Sequence, residues 1–161
     1  MHIWTIENWK QNMESGGREG LRFRYEADVH PEFKEACKDF AKWLRREYYF
    51  PMRVPVYVKA TKFIRAMDGE DVVGTFFEPF EYDVEPYIRV AAGDYEELKA
   101  ELGKEDAQMA IFVAIAHELT HYFQWVNGLE LTDVGRERQA TRYARYIVEE
   151  YRDWLLGRNG T

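Results

Sequence analysis

"KEDAQMAIFVAIAHELTHYFQWVNG", Lys104 to Gly128, is the stretch whose reading decides the fold. Glu105 and Asp106 open it, where the positive end of a helix dipole favours acids. Gly128 is placed to close it. "MAIFVAIA" and a later "YF" make the helix apolar most of the way round, so it is predicted to be buried. Inside it stands "HELTH", His117 to His121, which holds two of the chain's four histidines.

Residues four apart share one helix face, about 6 Å apart along the axis. His117 and His121 can therefore converge on one tetrahedral Zn²⁺, at about 2.0–2.1 Å from each nitrogen. Glu118 follows the first histidine and points aside, toward the ion's open position. There it can take a proton from a zinc-bound water. The alternative is a surface histidine pair on an amphipathic helix, and the apolar flanks argue against it. Two imidazoles and a carboxylate in a buried helix are costly unless satisfied, and a metal satisfies all three.

Catalytic zinc usually takes three protein ligands. No histidine follows His121, so a carboxylate must serve, and Glu130, Asp133, Glu137, Glu149 and Glu150 are candidates. Glu149 and Glu150 lie far along the last helix. Glu130 and Asp133 fall in the preceding loop, where Asp133 is well placed as a helix cap. Glu137 begins a face continuing through Ala140, Thr141, Ala144, Ile147, Val148 and Tyr151. That apolar face should turn inward, and its two alanines permit close helix approach. Glu137 is thus the preferred third ligand. Asp133 and Thr141 could orient the zinc-bound histidines, although cap or packing roles suit both.

The remaining chain is read as follows. "LRFRYEADV" from Leu21 alternates as a half-buried strand, after a break at "SGGREG", Ser15 to Gly20. Pro31 opens a helix with Phe33, Ala36, Cys37, Phe40, Leu44 and Tyr48 on one stripe, ended by Pro51 and Pro55. Cys37 on that stripe reads as a buried thiol. A strand from Val56 and another in "VVGTFFEPF", joined through "DGED", suggest a hairpin. "PYIRVAAG" is a third strand, and "DYEELKAELG" a short helix with Asp94 as cap. Strands followed by two long helices give an α+β class.

At 161 residues the chain is one domain long, and residues 1–30 could be an N-terminal extension or lid. Its 46% hydrophobic and 16% aromatic composition argues against disorder. Net charge is −7, which counts against a nucleic-acid partner, a local basic patch aside. The lone Cys37, the absence of a signal-peptide pattern at the N-terminus and the lack of a long apolar run predict a soluble cytoplasmic protein with no membrane partner.

His117-Glu118-Leu119-Thr120-His121 followed by Glu137-Arg138-Gln139-Ala140 resembles the HExxH plus ExxA pattern of the glutamate-type zinc peptidases, the gluzincins. Thr141-Arg142-Tyr143-Ala144 is similar to the N-x-F-A continuation of ImmA/IrrE-type peptidases, with Thr in place of Asn. The metzincin pattern fails, because Gln124 and Asn127 stand where it wants Gly and His. The resemblance covers residues 117 to about 144. It implies a minimal zincin-like domain: a three- to four-stranded sheet, a backing helix, the HExxH helix and a ligand helix. It further implies one Zn²⁺ held by His117, His121 and Glu137, with Glu118 as general base and then acid in peptide-bond hydrolysis. An edge strand would receive the peptide or protein substrate by main-chain pairing, and Tyr87 to Ala92 is the candidate. His2, His30, Tyr143 and Tyr146 stay open as oxyanion partners. The alternative is a latent or non-catalytic regulatory domain with a structural or relic metal site.

Overall fold

The computed structural model describes residues 2–13 and 17–159, so Ser15 and Gly16 of the expected break lie outside the described residues. After a 3-10 turn at Asn8–Gln11 come β1 (Leu21–Tyr25), α1 (Pro31–Glu47), β2 (Val54–Lys59), β3 (Ile64–Arg65), β4 (Asp71–Val72), β5 (Gly74–Phe77) and β6 (Tyr87–Ala91). Three helices follow: α2 (Tyr95–Leu102), α3 (Lys104–Val126) and α4 (Asp133–Asn159). The class is α+β.

Helix α1 starts as its sequence dictates. Pro31 occupies the first turn, and His30 caps it by accepting Glu32's N–H at Nδ1, 3.1 Å away. Phe33, Cys37, Phe40, Ala41 and Leu44 are buried along one side. The helix stops at Glu47, ahead of Pro51, and Tyr48 is already extended.

Strand pairing departs from the expected hairpin. The main sheet has the order β1-β2-β6-β5. β2 runs parallel to both β1 and β6, while β5 is antiparallel to β6. β6 therefore separates β2 from β5. The "DGED" turn closes only the two-residue strands β3 and β4, with Gly69 at φ +87°. Tyr87 to Ala92 is likewise not an edge, because β6 is paired on both sides; the free edges belong to β1 and β5. The partners of β6 come from distant parts of the chain, β2 on one side and β5 on the other, and its Ile88 and Val90 are buried.

β2 begins at Val54 and includes Pro55, two residues earlier than expected. Val54's N–H bonds Gly20's carbonyl on the β1 side, at 3.0 Å. In a parallel ladder alternate residues face opposite neighbours, so Pro55 faces β6. The β6 ladder starts only at Val56, and the missing proline N–H costs no bond. β1 ends at Tyr25, short of the predicted Val29.

The inner face of the sheet carries Leu21, Phe23, Val54, Val56, Val58, Ile88 and Val90 into one core with α1 and α3. α3 and α4 form an antiparallel hairpin, seen in Arg152 pairing with Glu105 and Asp106 at the opposite helix end. Gly128 at φ +64° ends α3, as its sequence position predicts. Ala140 and Ala144 are buried at the helix contact. Thr141, expected on that apolar face, is exposed. Thr132 caps α4, its Oγ1 accepting from Gly135 N at 3.0 Å, and Asp133 lies inside the first turn. Asp94 precedes α2 without a side-chain cap bond.

The N-terminal segment is anchored to the core through two residues. Ile3 and Trp4 are buried, and Trp4's indole N–H donates to Thr120 Oγ1 on α3 at 3.1 Å. Asn127 Oδ1 accepts from Trp9 N at 3.0 Å. Among the described residues, no helix is long and apolar enough to cross a membrane.

Candidate metal centre

Two elements build the site. α3 presents His117 and His121 one turn apart, their ring centroids 5.0 Å from each other. α4 returns alongside and brings Glu137 against both. Glu137 Oε2 lies 3.0 Å from His117 Nε2, and Oε1 lies 3.0 Å from His121 Nε2. One ligand atom from each residue falls within 4.8 Å of the other two, so this group could hold a metal ion. Glu137 does not point inward as its helix face suggested. Its side chain is 65% exposed and closes the site from the solvent side.

The imidazoles differ in setting. His121 is buried, which lowers its pKa and favours the neutral ring that ligates metal. Its Nδ1 faces Gln124 Oε1 at 2.8 Å. The amide oxygen accepts, so Nδ1 carries the proton and Nε2 keeps its lone pair toward Glu137. Gln124 is in turn held by donating Nε2 to the Arg136 carbonyl at 3.1 Å and to Gln139 Oε1 at 3.0 Å. Asp133 and Thr141, for which the sequence favours cap or packing roles, do not hold this ring; Gln124 does. The signal was present, since Gln124 stands three residues after His121 and so shares its face.

Glu118 is buried, and burial pushes its carboxyl up to about 8, with Glu137's charge adding to the rise. Nothing among the described residues donates a hydrogen bond to it. It fits because Gly74 on β5 leaves the space: a Cβ there would stand 3.1 Å from Glu118 Cγ. Gly74 is the second residue the sequence reading missed, because only the fold brings β5 over α3.

The other candidates lie elsewhere. Glu150 accepts from Tyr48's hydroxyl at 2.8 Å, and Glu130 and Glu149 are exposed. His30 is engaged as the α1 cap. His2 packs against Tyr48, Tyr143 and Tyr146 at ring distances of 5.9, 5.2 and 5.5 Å. Comparison with family models, curated proteins and solved structures finds no match for this chain.

Proposed function

We propose that this chain is a zinc-dependent endopeptidase of the gluzincin type, with a minimal zincin-like fold. The observation that carries the reading is the convergence of His117, His121 and Glu137 beside a buried Glu118 with no hydrogen-bond donor. Two imidazoles and a carboxylate suit zinc, and Gln124 favours the tautomer that leaves His121 Nε2 free to ligate. Zinc bound there would supply a Lewis acid that polarises the substrate carbonyl and makes hydroxide available near neutral pH.

The chain's own residues do the rest. Glu118 takes the proton from the attacking water and returns it to the leaving amine. A carboxylate beside the ion's open position is placed for both transfers. β5 has a free edge beside Glu118, so an extended peptide would add there by main-chain pairing, in place of the β6 position expected from the sequence.

Elemental mass spectrometry on protein purified without added metal tests the site. Wild type should carry about one zinc per chain; Glu137→Ala should carry far less. A peptidase assay of Glu118→Gln should then read a loss of activity with zinc retained. Wild type that takes up no metal on reconstitution sinks the reading. Zinc bound without any peptidase activity points instead to a structural site in a regulatory domain.

A further inference from the structure

The sheet face turned away from the helices is basic and aromatic. Alternation along the strands sends Arg22, Arg24, Tyr57, Lys59, Tyr87 and Arg89 to that side, with Thr75 and Phe77 from β5. The register aligns Arg24, Tyr57, Arg89 and Thr75 in one row across all four strands. Within the four strands this face carries no Asp or Glu, in a chain whose net charge is −7. Glu26 stands one residue past β1 and is occupied, accepting from Ala60 N at 2.8 Å.

The cations here are not neutralised. Arg53, Arg136 and Arg152 all pair with carboxylates. Among the described residues, Arg22, Arg24, Lys59 and Arg89 do not. Arg22 and Arg24 donate only to the carbonyls of Leu21 and Phe23. Arg89 donates to Arg65's carbonyl at 3.3 Å. Lys59 Nζ sits 5.6 Å from the centre of Tyr57's ring.

Between these cations lies a line of rings over three adjacent strands. Tyr57 and Tyr87 meet edge to face at 6.1 Å, and Tyr87 stacks on Phe77 at 5.0 Å. At the β5 end, the β3–β4 turn overhangs a cleft of about 360 Å³, with Phe77, Tyr87 and Arg89 in its lining. Met67 at the tip of that turn is almost fully exposed.

We propose that this open face binds single-stranded nucleic acid. Bases stack along Tyr57, Tyr87 and Phe77, while the phosphates follow Arg22, Arg24, Lys59 and Arg89. An acidic polypeptide would use the cations but has no need of a row of rings across neighbouring strands. Base faces do, and aromatic platforms on sheets bind unpaired bases with little sequence preference. A duplex hides those faces within its own stack. A second copy of this chain is disfavoured, because self-pairing would press unneutralised cations together. Net charge sums over the whole surface and is blind to this partition. α3 and its histidines lie behind the opposite face of the sheet, so the inference does not depend on the peptidase reading.

Fluorescence anisotropy tests it, using a short labelled oligothymidylate, its duplex with oligoadenylate, and a polyglutamate of matched length. The single strand should bind at low salt, with log K falling against log [salt] at a slope of about −3 if four phosphates are neutralised. Arg24→Ala and Lys59→Ala should each flatten the slope. Tyr57→Ala should weaken binding about ten-fold with the slope unchanged. Arg24 and Tyr57 are exposed, so these variants should fold, which their thermal midpoints check. Arg138→Ala, on the exposed side of α4, is the control and should change nothing. The proposal is overturned if the single strand does not saturate, or if Tyr57→Ala and Arg24→Ala bind like wild type. Equal binding of the duplex overturns it too, and equal binding of polyglutamate reassigns the face to an acidic protein.

Discussion

Gly74 on β5 and Glu118 on α3 are in direct contact: a Cβ placed on Gly74 would lie 3.1 Å from Glu118 Cγ and 3.2 Å from its Oε2. Gly74 does not need glycine for its backbone, since it is not among the residues with positive φ. Its value is space. Gly74→Ala should therefore fold normally, bind metal like wild type and displace Glu118 by a few tenths of an ångström. Misplaced catalytic groups lose rate steeply, so kcat should fall about ten-fold or more with zinc content unchanged. Parallel zinc and kcat measurements check this. A variant with full activity would mean that Glu118 has room to spare or takes no part in the reaction.

Gln124 fixes the tautomer of His121. Gln124→Leu keeps the bulk and removes the acceptor at Nδ1. Metal affinity should drop about 10–100-fold, the usual cost of losing a partner behind a ligating histidine. Competition with a chromogenic chelator measures it. Unchanged affinity would assign Gln124 to the α3–α4 contact alone, through its bonds to Arg136 and Gln139.

Trp4 is part of the core. Its ring is 2% exposed, packs on Phe123 at 4.8 Å and donates to Thr120. Trp4→Ala should cost about 3–5 kcal/mol of stability. Urea unfolding gives the value. Trimming the first 13 residues should likewise destabilise the fold, and higher peptidase activity from a stable trimmed protein would count against this assignment.

Glu32 links α1 to α2. Lys99 donates to its carboxylate at 2.8 Å and Tyr95's hydroxyl at 2.6 Å, and these bonds hold the carboxyl at about 2 against an ordinary 4.5. A folded-state pKa below the unfolded one gives stability that is present above pH 4.5 and lost as pH falls toward 2. Glu32→Gln should make the acid limb of the stability curve shallower and leave its slope near neutral pH unchanged. Thermal midpoints across that range, for both proteins, decide it. Superimposable acid limbs would show that Glu32 keeps the same pKa in the unfolded chain.

What the sequence by itself determined is what repeats within a few residues. The apolar surround of α3, the Pro31 start, the Gly128 stop and the four-residue spacing of His117 and His121 are local, and each element formed where its pattern placed it. Glu137 was legible as a ligand candidate on the last helix but its setting was not, because its side chain is mostly exposed while Ala140 and Ala144 are buried. The tertiary structure decided what depends on residues distant in the chain. β6 entered between β2 and β5, where its backbone groups find partners on both sides, and no local pattern encodes that pairing. Gly74 gained its role from a strand crossing a helix more than forty residues away. The basic, aromatic face arose the same way. Alternate residues of four separated strands were gathered onto one side, while the acids that dominate the net charge were left to helices and loops.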